Sequence, residues 1–532
     1  MKSGRSHIDI LAAFLLIAGF LYGIALIWLK LTFPSGFCGK VLFIRLSFHE
    51  LDRPLFIALS LILTGLFLRI RNLHVPITTR GAFTIGTIFF LAIATLKVLQ
   101  YRFYVSSAFD LGIRANILHN LIRHGRVWDS LTGRHGFSGH FWPAAYPLSF
   151  LFLLREDPRI LLILQSLAIA AVIPILHRVL ESRGAGRYSL PVLLLYMVNY
   201  YVHRVSAFDF HPEALGIPLV LLSLYFFEKN RDIPASLLLI STYALKEDMA
   251  IMGLSVSLFL FFTLGKKKLA VHLALFSILY FALSLWMIER FGNLGTRFET
   301  HYGGKTFAIE KFWVPIRFFG AFGFLPLLKI RDLTLIILPF LEHISSSYRP
   351  NYLLISQYSA ALLPGLFFLI ARNLNEKRSG LLQLGIALSL LAYPFYYYLP
   401  PSKVSLRKSR YIDALLKKIP PGSRLSAGNH VAAHAATRDG TALFPLFYDA
   451  DFIVVDTTWK SYQPLSYREG RKVLEEILND PDYEVISDSF GVLFIARRPK
   501  SGLSGGAHSE GRRANRVRLP GRPPAGVSSP AR

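Results

Sequence analysis

The chain predicts an all-α polytopic membrane protein of about thirteen transmembrane helices, joined to a small α/β region near its C-terminal end. Three observations carry this. Of the 532 residues, 53% are hydrophobic and 14% aromatic, and the mean hydropathy is +0.42. Long apolar runs recur from residue 8 to about residue 399, a pattern of membrane spans. Beyond residue 400 the apolar runs shorten, and helical stretches (411–418, 468–478) alternate with strand-like ones (451–456, 492–496), as in a packed α/β layer.

The first run, 8–29, follows Lys2 and Arg5 as a signal peptide does, but it is long and leads into Lys30 instead of a small-residue cleavage site. It reads as a retained signal anchor. Further spans are expected at 54–68, 82–99, 160–176, 188–202, 214–227, 234–245, 249–264, 269–288, 312–328, 333–341, 358–370 and 381–399. Several are shorter than the roughly 18 to 20 residues that a full crossing takes. The segment 143–154 begins Pro-Ala-Ala-Tyr-Pro and reads as a re-entrant or interfacial helix. The predicted organisation is therefore two extra N-terminal transmembrane helices in 1–81, a transmembrane domain in 82–400 with an outer loop at 101–143, an extracytoplasmic α/β domain in 401–498, and a basic tail in 499–532. The tail is rich in Gly, Ser, Pro and Arg with almost no large apolar residues, a composition that predicts disorder.

A net charge of +26 would point to nucleic acid in a soluble chain. Here most Lys and Arg sit in short loops between spans and in the tail, which the positive-inside bias explains. With the N-terminus inside, alternation puts Arg69, Arg71 and Arg80, then Arg178, Arg183 and Arg187, Lys229 and Arg231, Lys266 to Lys268, Lys329 and Arg331, and Arg372, Lys377 and Arg378 on the cytoplasmic side. The outer side receives 110–142, 209–213, 246–248, 289–311, 343–357 and everything after 400. This choice makes 234–264 a hairpin with its tip at 246–248; one continuous helix there would invert every later loop. The lone Cys38 excludes an internal disulfide and a thiolate metal cluster.

Three polar islands interrupt the apolar pattern and share the outer side. A carboxylate at the bilayer centre costs a few kcal/mol, so such groups are paired or line a wet cavity. Asp110, in Ser107-Ala-Phe-Asp, lies just beyond the third span and is placed to act as a general base on an acceptor hydroxyl; the same residue also suits the N-cap of a helix over 111–124. In Asp209-Phe-His-Pro-Glu213, Pro212 disfavours α geometry at His211 and suits the first turn of the next helix. Asp209 and His211 then share one side of an extended segment, and the helix start offers a phosphate seat, although capping and turn chemistry explains the same residues. Asp, His and Glu there carry no specific metal spacing. Lys246-Glu247-Asp248 is either a self-neutralising turn or a place where Lys246 offsets a leaving phosphate. The outer stretches 297–302 and 343–357 add cations and aromatics, chiefly interface anchors, with Arg349 the best candidate for an anionic headgroup and Tyr352 beside it. Ser-Ala-Phe-Asp recurs at Ser206 without matching flanks, so no internal repeat is read.

Phe-Asp110-Leu-Gly, Gly-His140-Phe-Trp-Pro, Asp209-Phe-His-Pro-Glu-Ala, Lys246-Glu-Asp and Gln357-Tyr-Ser-Ala-Ala-Leu-Leu-Pro, in this order, resemble an uncharacterised prokaryotic family of predicted multispanning membrane proteins grouped with the GT-C glycosyltransferases. The segment from Leu425-Ser-Ala-Gly-Asn-His430 to Asp456 resembles that family's C-terminal part, so the likeness runs over roughly 103–496. It implies a GT-C-like fold and transfer of a sugar from a polyprenyl-phosphate carrier to an acceptor on the outer face of a prokaryotic inner membrane. It implies Asp110 as the base, Lys246 and Arg349 against the departing lipid phosphate, and His140, Asp209, His211 and Glu213 around the sugar, with Glu247, Asp248 and Tyr352 in the same binding set. A monophosphate leaving group needs no metal, so no cofactor is required and no metal ligands are assigned, although a divalent ion is compatible. Two other classes compete: a transporter or flippase for lipid-linked sugar, disfavoured by charges gathered at one face and by the missing repeat, and a non-catalytic assembly subunit.

Overall fold

Apolar runs with no water to satisfy their backbone become helices, since only a helix pairs every N–H and C=O within its own segment. The computed structural model describes residues 2–32, 37–41, 44–48, 52–70, 73–292, 294–304, 309–392, 394–398, 404–447 and 449–498, and within them the long apolar runs are helical; the expected disordered tail 499–532 lies outside them. Among the described residues five helices are long and apolar enough to cross a membrane, His7–Leu29, Thr79–Arg102, Arg159–Ser182, Lys267–Phe291 and Glu376–Tyr398, or six if the bent pair Arg349–Ser359 and Leu363–Asn373 is one span. Shorter apolar helices, Pro54–Leu68, Ala145–Leu154, Gly186–Val198 and Met249–Phe262, stand where the sequence predicts three further spans and the re-entrant segment.

Local chemistry explains where runs break. The expected span 188–202 stops at Val198 because the Asn199 side chain accepts from the backbone N–H groups of Tyr201 and Val202 (3.0 and 3.4 Å), which caps a new helix, Tyr200–Ala207. The expected span 312–328 ends as a helix at Gly320. Gly323 follows with φ +62°, and a Cβ there would lie 1.9 Å from the Leu381 carbonyl oxygen, so glycine alone allows this turn to touch its neighbour.

The segment 234–264 is a hairpin. Helix Asp232–Tyr243 and helix Met249–Phe262 flank a turn at 244–248, and Lys266 Nζ lies 2.5 Å from Asp232 Oδ1. A continuous helix over those 34 residues would hold its ends about 50 Å apart. Arg183 and Arg372 both bind Glu228 (2.8 and 2.5 Å), and Arg372 Nε donates to Asp332 at 3.0 Å. These residues come from or border four loops that alternation assigns to the cytoplasmic side.

The described chain forms two compact units: 1–101 with 135–155 and 159–402, and 102–134 with 156–158 and the residues from 403 on. The expected outer loop 101–143 is thus divided between them near residue 134. The first unit has one apolar core, with Tyr196, Leu221, Phe259 and Phe367 among its fully buried members. Its two N-terminal helices, Lys2–Thr32 and Asp52–Leu68, meet through small residues: a Cβ on Gly19 or Gly65 would lie 2.7 Å from Ile62 or Leu16.

The second unit contains helix Ile113–His124 and a five-stranded sheet in the order Thr441–Leu443, Leu425–Ala427, Phe452–Asp456, Val492–Arg497, Tyr483–Ser489. The first three strands are parallel and the last two pair antiparallel. Ile453, Val455 and Ile495 of the sheet pack with Leu474 and Ile477 of helix Tyr467–Leu478. That helix starts with a capping box between Ser466 and Glu469.

Candidate functional site

Within the first unit, His211 and Glu213 of the first island, the Lys246–Asp248 island and His140 line one cavity of about 250 Å³, together with His301, Tyr302, Glu342, His343, Asn351, Gln357 and Tyr358. Each island is placed by a helix end. His211 is extended (φ −131°, ψ 127°), and Pro212 opens the 3₁₀ turn Pro212–Leu215, which runs into helix Gly216–Glu228, as the X-Pro restriction requires. The Gln165 side chain accepts the His211 backbone N–H at 2.8 Å, and the ring Nδ1 lies 3.1 Å from the Asp209 carbonyl oxygen. Lys246, Glu247 and Asp248 form the turn of the hairpin, and Glu213, Lys246 and Glu247 are all buried.

The charges are closely coupled. Lys246 Nζ lies 2.6 Å from Asp248 Oδ2 and 3.3 Å from Glu213 Oε1, with the Tyr358 ring 5.9 Å away. Both oxygens of Glu247 are engaged: Oε1 lies 2.8 Å from His140 Nδ1, and Oε2 accepts the Phe141 N–H at 3.1 Å. The cavity thus carries four carboxylates, Glu213, Glu247, Asp248 and Glu342, against the one ammonium of Lys246. Three buried acceptors around it, Glu213 Oε2, Asp248 Oδ1 and Gln357 Oε1, have no hydrogen-bond partner among the described residues. Buried acceptors without donors are costly, and all three belong to residues that line the cavity.

Other expected site residues lie elsewhere. Asp209 is not part of this lining; its Oδ1 is 3.8 Å from Lys97 Nζ, and Lys97 also donates to the Ala207 carbonyl and to Gln100. Arg349 makes a two-pronged contact with Glu310 (3.0 and 3.0 Å), and the Tyr352 hydroxyl donates to the same carboxylate at 3.2 Å. Arg349 and Glu310 line a second, shallower hollow of about 420 Å³ with Trp313, Ile316 and Arg317.

Asp110 belongs to the second unit. It sits in a five-residue π turn, Ala108–Gly112, capped by Ser107, whose Oγ accepts the Phe109 N–H at 3.1 Å. Asn429 Oδ1 accepts from the Ala108 N–H at 2.9 Å and the Ser107 hydroxyl at 3.2 Å. The capping role open to Asp110 in the sequence is therefore taken by Ser107. Helix Ile113–His124 has no side-chain cap of its own. π turns inside helical segments are frequent at functional sites.

Sequence reasoning passed over Lys97 and Gln165, two polar residues inside expected spans. Their signal was available, because an intramembrane polar group is itself a functional flag. His343, whose Nδ1 is 2.5 Å from Asn351 Oδ1, had no such signal.

Residues 100–494, well over half of the chain, match the model of the family described as predicted membrane protein (DUF2079), and the chain belongs to that family. No curated protein matches it. Among solved structures it is similar to ArnT from Cupriavidus metallidurans, whose crystal structure was determined bound to undecaprenyl phosphate; the TM-score is 0.50 at 12% identity, over 78% of this chain and 98% of that one.

Proposed function

We propose that this DUF2079 member is a GT-C-type membrane glycosyltransferase that moves a sugar from a polyprenyl-phosphate carrier to an acceptor. The carrying observation is that three buried acceptors without a hydrogen-bond partner among the described residues, Glu213 Oε2, Asp248 Oδ1 and Gln357 Oε1, all belong to residues that line the cavity. A sugar supplies hydroxyl donors to such acceptors, and each hydrogen bond to an ionised carboxylate is worth about 1.5–3 kcal/mol. A phosphate brings only acceptors and negative charge at neutral pH, so the four lining carboxylates disfavour it there. Lys246, bracketed by Asp248 and Glu213, serves in this reading to hold those carboxylates ionised and oriented. The carrier phosphate is better met by the hollow of Arg317 and Arg349, beside the exposed apolar side chains of Phe312, Trp313 and Ile316. The similar structure's undecaprenyl phosphate supports a carrier of this class.

Asp110 is the proposed base. It takes the proton of the acceptor hydroxyl as the acceptor oxygen bonds to the sugar's anomeric carbon. The bond from that carbon to the phosphate oxygen breaks, and polyprenyl phosphate leaves with the electron pair. No step in this scheme calls for a metal. The proposed setting is a prokaryotic inner membrane with the N-terminus cytoplasmic and the islands outside, supported by the basic-loop bias and by the ion cluster of Arg183, Glu228, Asp332 and Arg372.

The test is release of polyprenyl phosphate from a labelled polyprenyl-phosphate hexose in membrane vesicles. Asp110→Asn should lower release at least about 100-fold, the range of general-base catalysis, at unchanged expression and unchanged donor binding. Full release by that variant would sink the assignment. Movement of intact donor across the bilayer without release would mark a flippase.

A further inference from the structure

We infer that the second unit carries a divalent transition-metal site formed by His119, His124 and Asp439. The three residues come from the last turns of helix Ile113–His124 and from a loop more than 300 positions later. His119 Nε2 lies 3.1 Å and His124 Nε2 3.0 Å from the same oxygen, Asp439 Oδ1. All three ligand atoms lie within 4.8 Å of one another. Metal–ligand bonds of about 2.0–2.2 Å in a tetrahedron give edges of about 3.3–3.5 Å, so the two edges seen need to open by only a few tenths of an ångström to admit an ion.

The surroundings favour a cation over a plain hydrogen-bond cluster. His119 is buried, and its Nδ1 lies 2.8 Å from Glu156 Oε2, while Glu156 Oε1 is 2.6 Å from Arg123. The Glu156 carboxylate accepts a hydrogen bond from Nδ1–H, and in that neutral tautomer Nε2 carries the lone pair. This is the arrangement by which metal-binding imidazoles are oriented. In that tautomer the His119 lone pair faces the Asp439 oxygen, acceptor against acceptor, and a metal ion resolves the conflict, with His124 Nε2 on the same oxygen as the second imidazole ligand. The Asp439 loop is fixed in advance: Arg438 donates to the Ser423 and Pro420 carbonyls at 2.8 and 2.7 Å, and Gly440 takes the left-handed φ of +74° that closes the turn. Two imidazoles and one carboxylate select zinc-like ions over magnesium or calcium, which prefer oxygen ligands. The side chains of His124 and Asp439 are about half exposed or more, which gives an ion access and leaves the fourth position to water.

The experiment uses the full-length protein in detergent, purified through a tag without histidines and stripped with a chelator. Zinc is titrated calorimetrically, and cobalt(II) is followed by its visible absorption. Wild type should bind one equivalent and show the intense bands of tetrahedral cobalt. His124→Ala and Asp439→Asn, both at exposed positions, should each weaken binding about 100-fold, and Glu156→Gln about 10- to 100-fold through the orientation of His119. An imidazolium–carboxylate cluster without metal would give no stoichiometric binding. That result, or binding that His124→Ala and Asp439→Asn leave unchanged, overturns the proposal.

Discussion

Glu213→Gln isolates the hydroxyl-accepting role proposed for the cavity. One oxygen, Oε1, contacts Lys246 at 3.3 Å, while Oε2 has no partner among the described residues. The substitution therefore gives up a long contact to an ammonium that keeps Asp248 at 2.6 Å, and it replaces one ionised acceptor by a neutral amide. The main loss falls on the ligand. One hydrogen bond to a charged acceptor is worth about 1.5–3 kcal/mol, which converts to roughly 10- to 150-fold in Kd. The assay compares two ligands in nanodiscs, a polyprenyl-phosphate hexose and the same polyprenyl phosphate without sugar. The hexose-bearing lipid should weaken by that factor, and the bare lipid should bind within about twofold of wild type. Equal weakening of both, or of neither, would refute the idea that Glu213 Oε2 receives a sugar hydroxyl.

Three further outcomes are expected. Gly253→Ala should lower the melting temperature in detergent, because its Cβ would lie 1.8 Å from the Tyr243 hydroxyl, which is hydrogen-bonded to Ser277 in the buried core; overpacking costs about 1–3 kcal/mol, and an unchanged melting point would contradict that packing. Lys408→Met should strongly destabilise the second unit, by about 3–5 kcal/mol, since it strands the buried Asp456 carboxylate that lies 2.6 Å from Lys408 Nζ; limited proteolysis within 404–498 reads this. Burial pushes the Asp129 carboxyl up to about 6 against the opposing Thr132 hydrogen bonds, so the fold favours its protonated form. Its stabilisation is complete below about pH 4, is lost as pH rises towards 6 and amounts to at most about 3 kcal/mol. Asp129→Asn should flatten that part of the melting-temperature profile.

Much of the helical architecture was legible because apolar length is a coarse and robust signal. The hairpin at 232–266 was legible from charge bias alone, and the Lys266–Asp232 contact agrees with it. The break at Asn199 was not, because a polar residue inside an apolar run is a cap in one setting and a buried donor in another. Of the site, the islands at 209–213 and 246–248 stood out as charge in hydrocarbon, and Pro212 announced the extended His211. Pairing was beyond the sequence: nothing local says that Glu247 takes His140 and Lys246 takes Glu213. Nor did five-residue spacing of two histidines on a helix point to a carboxylate more than 300 positions on.

The arrangement around Asp110 has a consequence for biosynthesis. The acceptor that fixes its turn, Asn429 Oδ1, follows Ala108 by 321 residues. At the usual 5 to 20 residues per second of translation, the nascent turn waits about 15 to 60 s for its partner. Throughout that interval the intervening helices are being inserted. A chain stalled after its last apolar helix, Glu376–Tyr398, and before residue 429 therefore carries its membrane helices but lacks the Asn429 side chain that holds the turn of the proposed base.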